Sequence, residues 1–340
     1  MMADSALSVR MVTDQLQRRA PGGIATYTNA VITALQARSD VVVHECKSRM
    51  PVRLLGLSWQ RGLFGPPVMA DTVTHSPSLL VPPKTANLVI TVHDLLWRDV
   101  PDAFPARARR WHEWALHAAI DTSAAIIVPA SVTRDRLIDA GADAERVHVV
   151  AEGADHLPEP DLATAGALLA SLGIERFVFS VSTLEPRKNF VRLMDAFGRL
   201  RDEQPDLSLV IAGPAGWGPA LKPVPGTHLI GTVPGEVLAA LYRLAALTAY
   251  VPLAEGFGLP PLEAMAQGCA VVVSPMPSVP GEYPTVSPDD TQEIADDILW
   301  VLNDSDERDK RVALGRVVAG ARTWAAAGEK HVAIYKSVLQ

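Results

Sequence analysis

The sequence lacks the marks of secreted, membrane-spanning and disulfide-stabilised proteins. It has two cysteines, Cys46 and Cys269, which are too few for a disulfide framework. Both are expected to be reduced, and Cys269 to be buried. No apolar run reaches the roughly 18 residues that a membrane-spanning helix needs, and residues 1–10 contain no apolar core of a signal peptide. These absences predict a cytoplasmic protein.

An excess of positive charge is also missing. The net charge is −7, and residues 158–340 account for all of it, because acidic and basic side chains balance in residues 1–157. Nucleic-acid-binding proteins usually carry a basic excess, so no nucleic-acid partner is predicted. Residues 47–61 are a local exception, with four cations and no acid. They are interpreted either as a solvated loop or as a surface for an anionic acceptor or for weak peripheral contact with the inner face of a membrane.

The signatures of several enzyme classes are not found. There is no cluster of histidines and cysteines at metal-ligand spacing, so no metal site is predicted. The Walker A, G-x-S-x-G and G-x-G-x-x-G patterns are missing too, which argues against a P-loop NTPase, an α/β-hydrolase and a dinucleotide-binding enzyme. No resident cofactor is expected.

The chain does contain a regular alternation of short apolar runs and helical segments, which is typical of doubly wound parallel sheets. Its 340 residues suggest two domains, and a hydrophobic share of 48% is enough for two cores. Strands are predicted at 9–12, 41–43, 88–92, 124–128, 147–150, 177–180, 207–212, 229–230, 247–251 and 270–273, and late helices at 294–302 and 312–321. A proline-rich stretch at 157–160 interrupts this pattern. The predicted domains are therefore 1–157 and 158–320, followed by a closing helix in residues 321–340.

The most informative motif follows the strand predicted at 247–251. The sequence Glu255-Gly-Phe-Gly-Leu-Pro-Pro-Leu-Glu263-Ala-Met-Ala-Gln-Gly268 predicts a loop that enters a short helix, whose first turn tolerates the prolines. A helix start offers amide donors and the positive end of the helix dipole to a phosphate. The candidate phosphate-binding residues of this loop are Gly256, Phe257, Gly258 and Leu259. Glu255 and Glu263 are expected to accept hydrogen bonds from sugar hydroxyls beside the phosphates.

A second motif, Glu185-Pro-Arg187-Lys188-Asn189, follows the strand predicted at 177–180. Two cations here precede a helix that Asn189 can cap. Because cations oppose the dipole at a helix start, a solvated pair is disfavoured there unless an anion binds. Arginine offers a planar fork to phosphate oxygens and lysine a compact charge. Arg187 and Lys188 are therefore predicted to neutralise a leaving diphosphate without a metal.

Two further strand ends carry candidate residues. Gly22 and Gly23 follow the first predicted strand, and adjacent glycines let backbone amides approach a ligand closely, although a tight turn also accounts for them. His93 follows the strand predicted at 88–92, where its ring can hydrogen-bond a sugar hydroxyl and Asp94 can fix its tautomer. A histidine satisfied by loop backbone is the alternative.

The form E-G-F-G-L-P-x-L-E-A-M-A-x-G, with seven residues between its glutamates, resembles the signature of the retaining GT-B glycosyltransferases of family four. These are the group 1 transferases, and the resemblance is to their mannosyltransferase-like members. E-P-R-K-N, the Gly22-Gly23 pair and His93 are similar to other motifs of that family. The resemblance covers most of the chain and is strongest over residues 177–273. It implies an α/β GT-B fold of two Rossmann-like domains facing a central cleft, the first binding the acceptor and the second the nucleotide sugar.

The same resemblance implies roles for single residues. Glu255 would hold the transferred sugar, Glu263 the nucleotide ribose, and Lys188 with Arg187 the donor phosphates, while His93 would lie near the reaction centre and the two glycines over the phosphates. The implied reaction is retaining, metal-independent transfer of a hexose from a nucleotide-diphosphate sugar to a glycan, lipid-linked or small-molecule acceptor, as in polysaccharide biosynthesis. GDP-mannose is the first choice of donor and a UDP-sugar the second.

Two departures from the family pattern keep alternatives open. Ser182 and Thr183 occupy the stretch where the family has a separate arginine, and residues 274–289 are proline-rich and shorter than usual. The main alternative is a degenerate transferase that acts as a non-catalytic partner subunit. A glycoside hydrolase with Glu255 and Glu263 as paired acids is another, but it leaves the phosphate-binding motifs without a purpose.

Overall fold

The computed structural model describes residues 6–17, 22–66, 69–83, 85–218 and 220–340. These residues form two compact units. The first unit contains the chain up to residue 153 together with residues 323–340, and the second contains residues 154–322. The sequence predicts boundaries at 157 and 320, a few residues away from these positions.

Each unit is built on a parallel sheet. The strands are β1 (Leu7–Val12), β2 (Val41–Cys46), β3 (Thr72–Ser76), β4 (Leu88–Thr91), β5 (Ala125–Val128), β6 (Val147–Val149), β7 (Arg176–Val181), β8 (Leu207–Ala212), β9 (Thr227–Gly231), β10 (Leu247–Tyr250) and β11 (Val271–Val273). The first sheet has the order β2-β1-β3-β4-β5-β6 and the second the order β11-β10-β7-β8-β9. Every pairing between these strands is parallel, as the βα alternation predicts.

Helices connect the strands. They are α1 (Gly22–Gln36), α2 (Val52–Gln60), α3 (Leu96–Asp99), α4 (Ala106–Thr122), α5 (Ser131–Asp139), α6 (Leu162–Ser171), α7 (Phe190–Leu200), α8 (Gly235–Leu244), α9 (Leu259–Ala266), α10 (Thr291–Asn303), α11 (Ser305–Gly320) and α12 (Trp324–Val338). The last of them, α12, belongs to the first unit, where Gly328 faces Ala34 of α1 so closely that an added Cβ would lie 3.2 Å from the Ala34 Cβ.

The cores follow the hydrophobic periodicity of the sequence. In the second unit, α7 buries Phe190, Leu193, Phe197 and Leu200, which recur at the helical spacing of three or four residues. They pack with apolar side chains of β7, β8 and β10 and of α10. A corresponding cluster in the first unit joins β4, β5 and α4. Each sheet is thus held by burial of the runs that identify its strands.

The sequence interpretation missed one central strand. The residues of β3, Thr72-Val-Thr-His-Ser76, are mostly polar, so no apolar run marks them, yet all five are buried between β1 and β4. Hydrogen bonds make this burial possible: the Ser76 hydroxyl donates to the Leu80 carbonyl at 2.6 Å, and the bonds of the His75 ring are described below. The prediction of a helix at 312–321 was also too short, because α11 begins at Ser305, where Asp304 accepts hydrogen bonds from the amides of Asp306 and Glu307.

Candidate active site

The second sheet reverses its strand order between β7 and β10. The two strands are parallel neighbours, with β8 and β9 beyond β7 on one side and β11 beyond β10 on the other. In open parallel sheets, ligands bind outside the carboxyl ends of the strands at such a reversal. Both second-unit motifs follow these strands, one after β7 and one after β10.

The structure brings the cations of one motif onto the first glutamate of the other. Lys188 ends a short 3-10 helix (Pro186–Lys188), and its Nζ lies 2.5 Å from Glu255 Oε2. Arg187 Nη1 lies 3.4 Å from Glu255 Oε1. The side chains are largely buried, with exposures of 8% for Lys188, 16% for Arg187 and 11% for Glu255. Three of the predicted site residues therefore form one ion-paired cluster.

Tyr250, the last residue of β10, completes this cluster. Its hydroxyl accepts a hydrogen bond from Lys188 Nζ at 2.7 Å and donates one to Glu255 Oε2 at 2.6 Å. Burial acts to raise the pKa of Glu255, but the charges of Lys188 and Arg187 and the hydrogen bonds of Lys188 and Tyr250 outweigh it and lower the pKa to about 2. Glu255 is therefore ionised at neutral pH and occupies the cations that are predicted to bind phosphate.

A second carboxylate touches the same cluster from the other side of Arg187. Glu185 Oε2 accepts a hydrogen bond from Arg187 Nε at 3.0 Å. Burial raises the pKa of Glu185, and the neighbouring charges of Arg187 and Lys188 counteract that effect only in part. The guanidinium of Arg187 is thus fixed between two carboxylates, which orients its planar fork.

The prediction that the Asn189 side chain caps the following helix by a hydrogen bond was wrong. Asn189 does stand at the N-cap position of α7, but its side chain accepts no hydrogen bond from the helix amides and its φ is 62°. The side-chain amide donates instead to the carbonyls of Val251, at 2.9 Å, and Pro288, at 2.7 Å. Asn189 therefore ties the turn that carries Lys188 to the residue that follows β10 and to the segment before α10.

The loop from Gly256 to Leu259 leads into α9 as expected, although its amides are less available than the sequence implies. The Gly256 amide donates to the Glu255 carboxylate at 3.1 Å. Gly258 has a φ of 101°, and any Cβ there would lie 2.4 Å from Met276 Sδ, so only glycine fits. Since Pro260 and Pro261 carry no N–H, the amides of Gly258 and Leu259 are the donors that the start of this helix offers. Phe257 is buried beside them.

Glu263 lies in the second turn of α9 and is separately held. Its Oε1 is 2.9 Å from His156 Nε2, and its Oε2 accepts a hydrogen bond from the Tyr242 hydroxyl at 2.7 Å. Burial and the nearby Glu263 carboxylate raise the pKa of Tyr242 well above its usual value, so the hydroxyl keeps its proton. Glu263 is 7% exposed. One carboxylate oxygen can accept two hydrogen bonds, so each oxygen retains a lone pair for a ligand hydroxyl.

In the first unit, His93 follows β4 and is held at both ring nitrogens. Nδ1 lies 3.3 Å from Glu152 Oε1, and Nε2 lies 3.1 Å from the Pro77 carbonyl oxygen. Two acceptors can be satisfied only if both nitrogens carry protons, which makes the ring cationic. Burial would lower the pKa of His93, but Glu152, by hydrogen bond and charge, and Pro77 raise it. The expected tautomer-fixing partner was Asp94, whose Oδ1 instead accepts from the Leu96 amide.

The predicted glycine pair lies at the start of α1, after β1. Gly22 has a φ of 58°, and a Cβ added at Gly23 would meet no described atom within 4 Å. The strand order of the first sheet reverses between β1 and β3, so this turn lies where open parallel sheets bind ligands. Pro21, which precedes the pair in the motif, lies outside the described residues. Gly22, Gly23 and His93 belong to the first unit and the other candidates to the second.

A buried chain of hydrogen bonds lies behind His93 in the first unit. His331 Nδ1 is 2.7 Å from the Ala327 carbonyl, which can only accept, so Nδ1 carries the proton. His331 Nε2 of the neutral ring must then accept from the Tyr27 hydroxyl, 2.8 Å away. Tyr27 has no second proton, so Thr91 donates to it at 2.9 Å. The Tyr27 ring also meets the His93 ring edge to face, with centroids 4.7 Å apart.

The remaining bonds of this chain follow from the same reasoning. Thr91 Oγ1, having donated its proton, accepts from His75 Nε2 at 2.8 Å. His75 Nδ1 then accepts from the Tyr335 hydroxyl at 2.7 Å. Burial lowers the pKa of His75 well below its usual value and lowers that of His331 to about 4, in agreement with two neutral rings. One carbonyl thus fixes every proton in a network that joins α12 to β3 and β4.

This network predicts that acid destabilises the first unit. A neutral histidine with a depressed folded-state pKa stabilises the fold fully above its unfolded pKa, near 6.5, and this stabilisation is lost as pH falls toward the folded value. For His331, a pKa of about 4 corresponds to a loss of roughly 3 kcal/mol over that range. Hydrogen exchange of peptides from β3 and β4 should therefore accelerate below pH about 6.5, after correction for the intrinsic rate.

His331→Gln provides the control for this prediction, because glutamine does not titrate in that range. The variant should be less stable at neutral pH but should show a weaker pH dependence. Peptides from β7 and β8 in the second unit give the internal reference. Equal acceleration in both units, or an unchanged dependence in His331→Gln, would contradict the assignment to these histidines.

Sequence reasoning missed four residues that support the candidate site. Tyr250 ends a strand, and Glu152 and His156 follow another. Because ligands of parallel sheets bind outside the carboxyl ends of the strands, their positions could have identified all three. Tyr242 lies in the middle of α8 on its buried face, where nothing in the sequence distinguishes it from a core aromatic residue. These residues matter because they hold the glutamates and histidine that the motifs identify.

Solved structures define the class of fold. The chain superposes with a TM-score of 0.71 on Anabaena HepE, whose structure was determined with UDP-glucose, over 97% of this chain and 100% of that one at 17% identity. With sucrose-phosphate synthase from Thermosynechococcus elongatus the TM-score is 0.72 at 18% identity, over 98% and 99% of the two chains. The protein has the GT-B fold of glycosyltransferases.

Sequence comparison gives the family. The profile of the glycosyl transferases group 1 matches residues 170–316, and that of glycosyltransferase family 4 matches residues 68–156. O-antigen chain mannosyltransferase B of Escherichia coli is 29% identical over 283 residues, which cover 78% of this chain and 74% of the relative. The MMP α-(1→4)-mannosyltransferase of Mycolicibacterium hassiacum is 28% identical, with 74% and 66% covered. The chain belongs to the group 1, family 4 glycosyltransferases and is a glycosyltransferase.

Two kinds of feature are absent from the described residues. No helix in those ranges is long and apolar enough to cross a membrane. Within the same part of the chain, no three histidine, cysteine or acidic side chains form a group that could hold a metal ion. Both cysteines are free thiols, and Cys269 is buried.

Proposed function

We propose that this glycosyltransferase transfers mannose from GDP-mannose to a glycan, lipid-linked or small-molecule acceptor, with retention of the anomeric configuration and without a metal. A UDP-sugar is the second choice of donor. The observation that carries the proposal is the cluster of Lys188, Arg187 and Glu255 at the strand reversal between β7 and β10. A buried pair of cations is where the charge of a departing diphosphate can be stabilised.

The groups of this cluster have separate roles in binding the phosphates. The Lys188 ammonium has three N–H donors, of which Tyr250 and Glu255 receive two, so the third would serve a phosphate oxygen. Arg187 presents its fork from a fixed position beside it. The amides of Gly258 and Leu259 supply further donors and the positive end of the α9 dipole. Negative charge that develops on the leaving phosphate is thus met by cations already in place.

The other predicted residues receive matching roles. Glu255, held at the end of β10, accepts hydrogen bonds from the hydroxyls of the transferred sugar, and Glu263 accepts them from the ribose. A protonated His93 serves as a donor or cation near the sugar, and the Gly22-Gly23 turn contacts the phosphates. Because the described site offers no side chain placed as an obvious general base, a leaving-phosphate oxygen takes the acceptor proton on the same face.

The relatives support the choice of sugar. The Escherichia coli and Mycolicibacterium hassiacum proteins compared above are both mannosyltransferases, which favours mannose. The D-inositol 3-phosphate glycosyltransferase of Corynebacterium glutamicum, 29% identical over 286 residues, shows that the same similarity also reaches enzymes with other substrates. The crystal structures of HepE with UDP and UDP-glucose support a UDP-sugar as the second choice.

A calorimetric screen of GDP, UDP, ADP and dTDP tests the donor. We expect GDP to bind with a micromolar Kd and Lys188→Ala to weaken it by at least tenfold, since a charge-assisted hydrogen bond contributes about 1.5–3 kcal/mol. Lys222→Ala, which removes a lysine outside the cluster, is the matched control and should leave the Kd unchanged. Selective binding of UDP would reassign the donor.

Product analysis tests the reaction itself. With the matching nucleotide sugar and a hydroxyl acceptor, the product should have the donor's anomeric configuration, and chelators should not reduce the rate. An inverted product would rule out the same-face mechanism. A folded protein that binds no nucleoside diphosphate would instead support the non-catalytic partner subunit.

A further inference from the structure

A cavity lies at the amino end of the second sheet, opposite the candidate active site. Its lining includes Arg176, the first residue of β7, Ala245 and Ala246, directly before β10, and Cys269 and Ala270, directly before β11. The ion-paired cluster follows the other ends of β7 and β10, so at least the length of β10, about 13 Å, separates the two places. The volume of the cavity, about 380 Å³, is sufficient for a small organic ligand.

Four arginines surround this cavity, which we call the arginine cavity. Arg176, Arg243 and Arg308 line it. Arg316 reaches the same place, because a Cβ added at Gly268, another lining residue, would lie 2.9 Å from Arg316 Nη2. The four residues belong to β7, α8 and α11. Three separate elements therefore bring positive charge to one recess.

These guanidinium groups keep their charge without a carboxylate partner. Among the residues that the structure describes, none of the four is recorded in an ion pair. Arg176 and Arg243 each donate to the side-chain oxygen of a glutamine, at 2.7 and 3.1 Å, which satisfies a hydrogen bond but not the charge. Arg308 and Arg316 have no side-chain partner recorded within the described ranges. The buried Arg311 of the same helix α11 differs, since two carboxylates pair with it.

The accumulation of positive charge is unexpected in this part of the chain. Residues 158–340 account for the whole net charge of −7, yet one acidic residue, Asp309, is found among the described residues that line the arginine cavity. Arg308 also stands in the first turn of α11, where the helix dipole disfavours a cation. Like charges that are brought together repel one another, and a bound anion removes this repulsion.

We propose that the arginine cavity binds a small phosphorylated molecule of about the size of a sugar phosphate. Guanidinium groups form paired, charge-assisted hydrogen bonds with phosphate oxygens. Leu302 and Val312 line the cavity as well and offer apolar contact to the rest of the ligand. The phosphate would lie among the arginines at the amino edge of the sheet. This site is separate from the proposed donor site and does not depend on the proposed function.

Calorimetric titration of the full chain with inorganic pyrophosphate tests the proposal. Two classes of binding site are expected in the parent protein. Lys188→Ala should weaken one class, at the donor cluster. Arg308→Gln combined with Arg316→Gln should weaken the other class at least tenfold, because charge-assisted hydrogen bonds to the phosphate are lost. Glucose 6-phosphate should compete for this second class, whereas glucose should not.

Two further variants separate a specific site from general attraction of anions. Arg199 on α7 is exposed and, like two of the cavity arginines, donates to a glutamine side chain, but it does not line the cavity. Arg199→Gln should leave both classes of site unchanged. Asp309→Asn should tighten the second class, because it removes a negative charge that repels the phosphate. All these variants should keep the circular dichroism spectrum of the parent protein.

Three results would overturn the proposal. The first is that the parent protein shows no class of pyrophosphate site beyond the one that Lys188→Ala weakens. The second is that the Arg308 and Arg316 double variant binds pyrophosphate as the parent does, and the third is that glucose competes as well as glucose 6-phosphate. Failure of the proposed donor site is distinguishable, because Lys188→Ala would then change nothing while the arginine substitutions still weakened a site.

Discussion

Replacing Glu255 with glutamine is expected to reduce sugar transfer about 100-fold or more while tightening the binding of the nucleoside diphosphate. Glu255 is the only carboxylate among the described residues recorded in contact with the Lys188 ammonium. In the free protein it competes with a phosphate for that charge, so glutamine should lower the Kd of the diphosphate by roughly tenfold. Transfer should fall because the neutral amide of glutamine accepts hydrogen bonds from the sugar hydroxyls less strongly than the carboxylate does. This loss raises the activation free energy by about 2–3 kcal/mol.

The same substitution should also destabilise the second unit. It leaves Lys188 buried without its anionic partner, and breaking a buried ion pair from one side costs about 3 kcal/mol. Added diphosphate should restore much of this loss by supplying a new anion. Thermal unfolding with and without the diphosphate, together with calorimetry and initial rates, measures all three effects.

Glu185→Gln is the matched control for Glu255→Gln. Glu185 belongs to the same cluster and has a similar burial, but its recorded contact is with Arg187 Nε rather than with Lys188. It should change the Kd and the rate less than Glu255→Gln does. If Glu255→Gln weakened diphosphate binding as strongly as Lys188→Ala, Glu255 would organise the cations for the phosphate instead of competing with it.

Glu152→Gln is expected to lower the pKa of His93 and to lower kcat at neutral pH. Glu152 supplies the carboxylate whose hydrogen bond and charge hold the second proton on the ring and raise its pKa. Once the charge is removed, burial favours the neutral ring. Glutamine can still bond the neutral ring, by donating from its amide to Nδ1, so the geometry should persist.

The sign of the pH dependence follows from the raised pKa of His93. The folded protein keeps this proton to a higher pH than the unfolded chain, so the stabilisation is complete below about 6.5 and is lost as pH rises through the folded value. The alkaline limb of the rate profile should therefore lie above 6.5 in the parent protein and move to lower pH in Glu152→Gln. NMR titration of the His93 ring measures the pKa directly, independent of activity.

The charged and titratable neighbours of His93 provide the controls. Asp94 on the same loop raises the pKa of His93 less than Glu152 does, so Asp94→Asn should lower this pKa less than Glu152→Gln. His75 on β3 and Tyr27 on α1 face the same region and are neutral. Equal shifts of the His93 pKa in both variants would show that the total negative charge nearby sets this pKa, rather than the specific contact with Glu152. An altered pKa with an unchanged kcat would place His93 outside the reaction.

The sequence by itself determined the class of fold and the location of the motifs. Short apolar runs and helical periodicity are local properties, so nine of the ten predicted strands needed only a shift of their ends by a few residues, and residues 207–212 needed none. The motifs after β7 and β10 fall at strand ends because that is where backbone groups and side chains leave a parallel sheet. The family resemblance added the transferase class, which sequence comparison confirmed.

Contacts between distant residues were decided only by the tertiary structure. Nothing local pairs Lys188 with Glu255, 67 residues away, or Tyr27 with His331, 304 residues away. The strand β3 was missed because it contains no apolar run, and its His75 is buried through partners on β4 and α12 that no window of sequence contains. The buried surroundings then set the charge of each group: Lys188 and Arg187 keep Glu255 ionised against the effect of burial, and burial keeps His75 neutral. Sequence patterns report which side chains are near in the chain, whereas protonation and ion pairing depend on which groups are near in space.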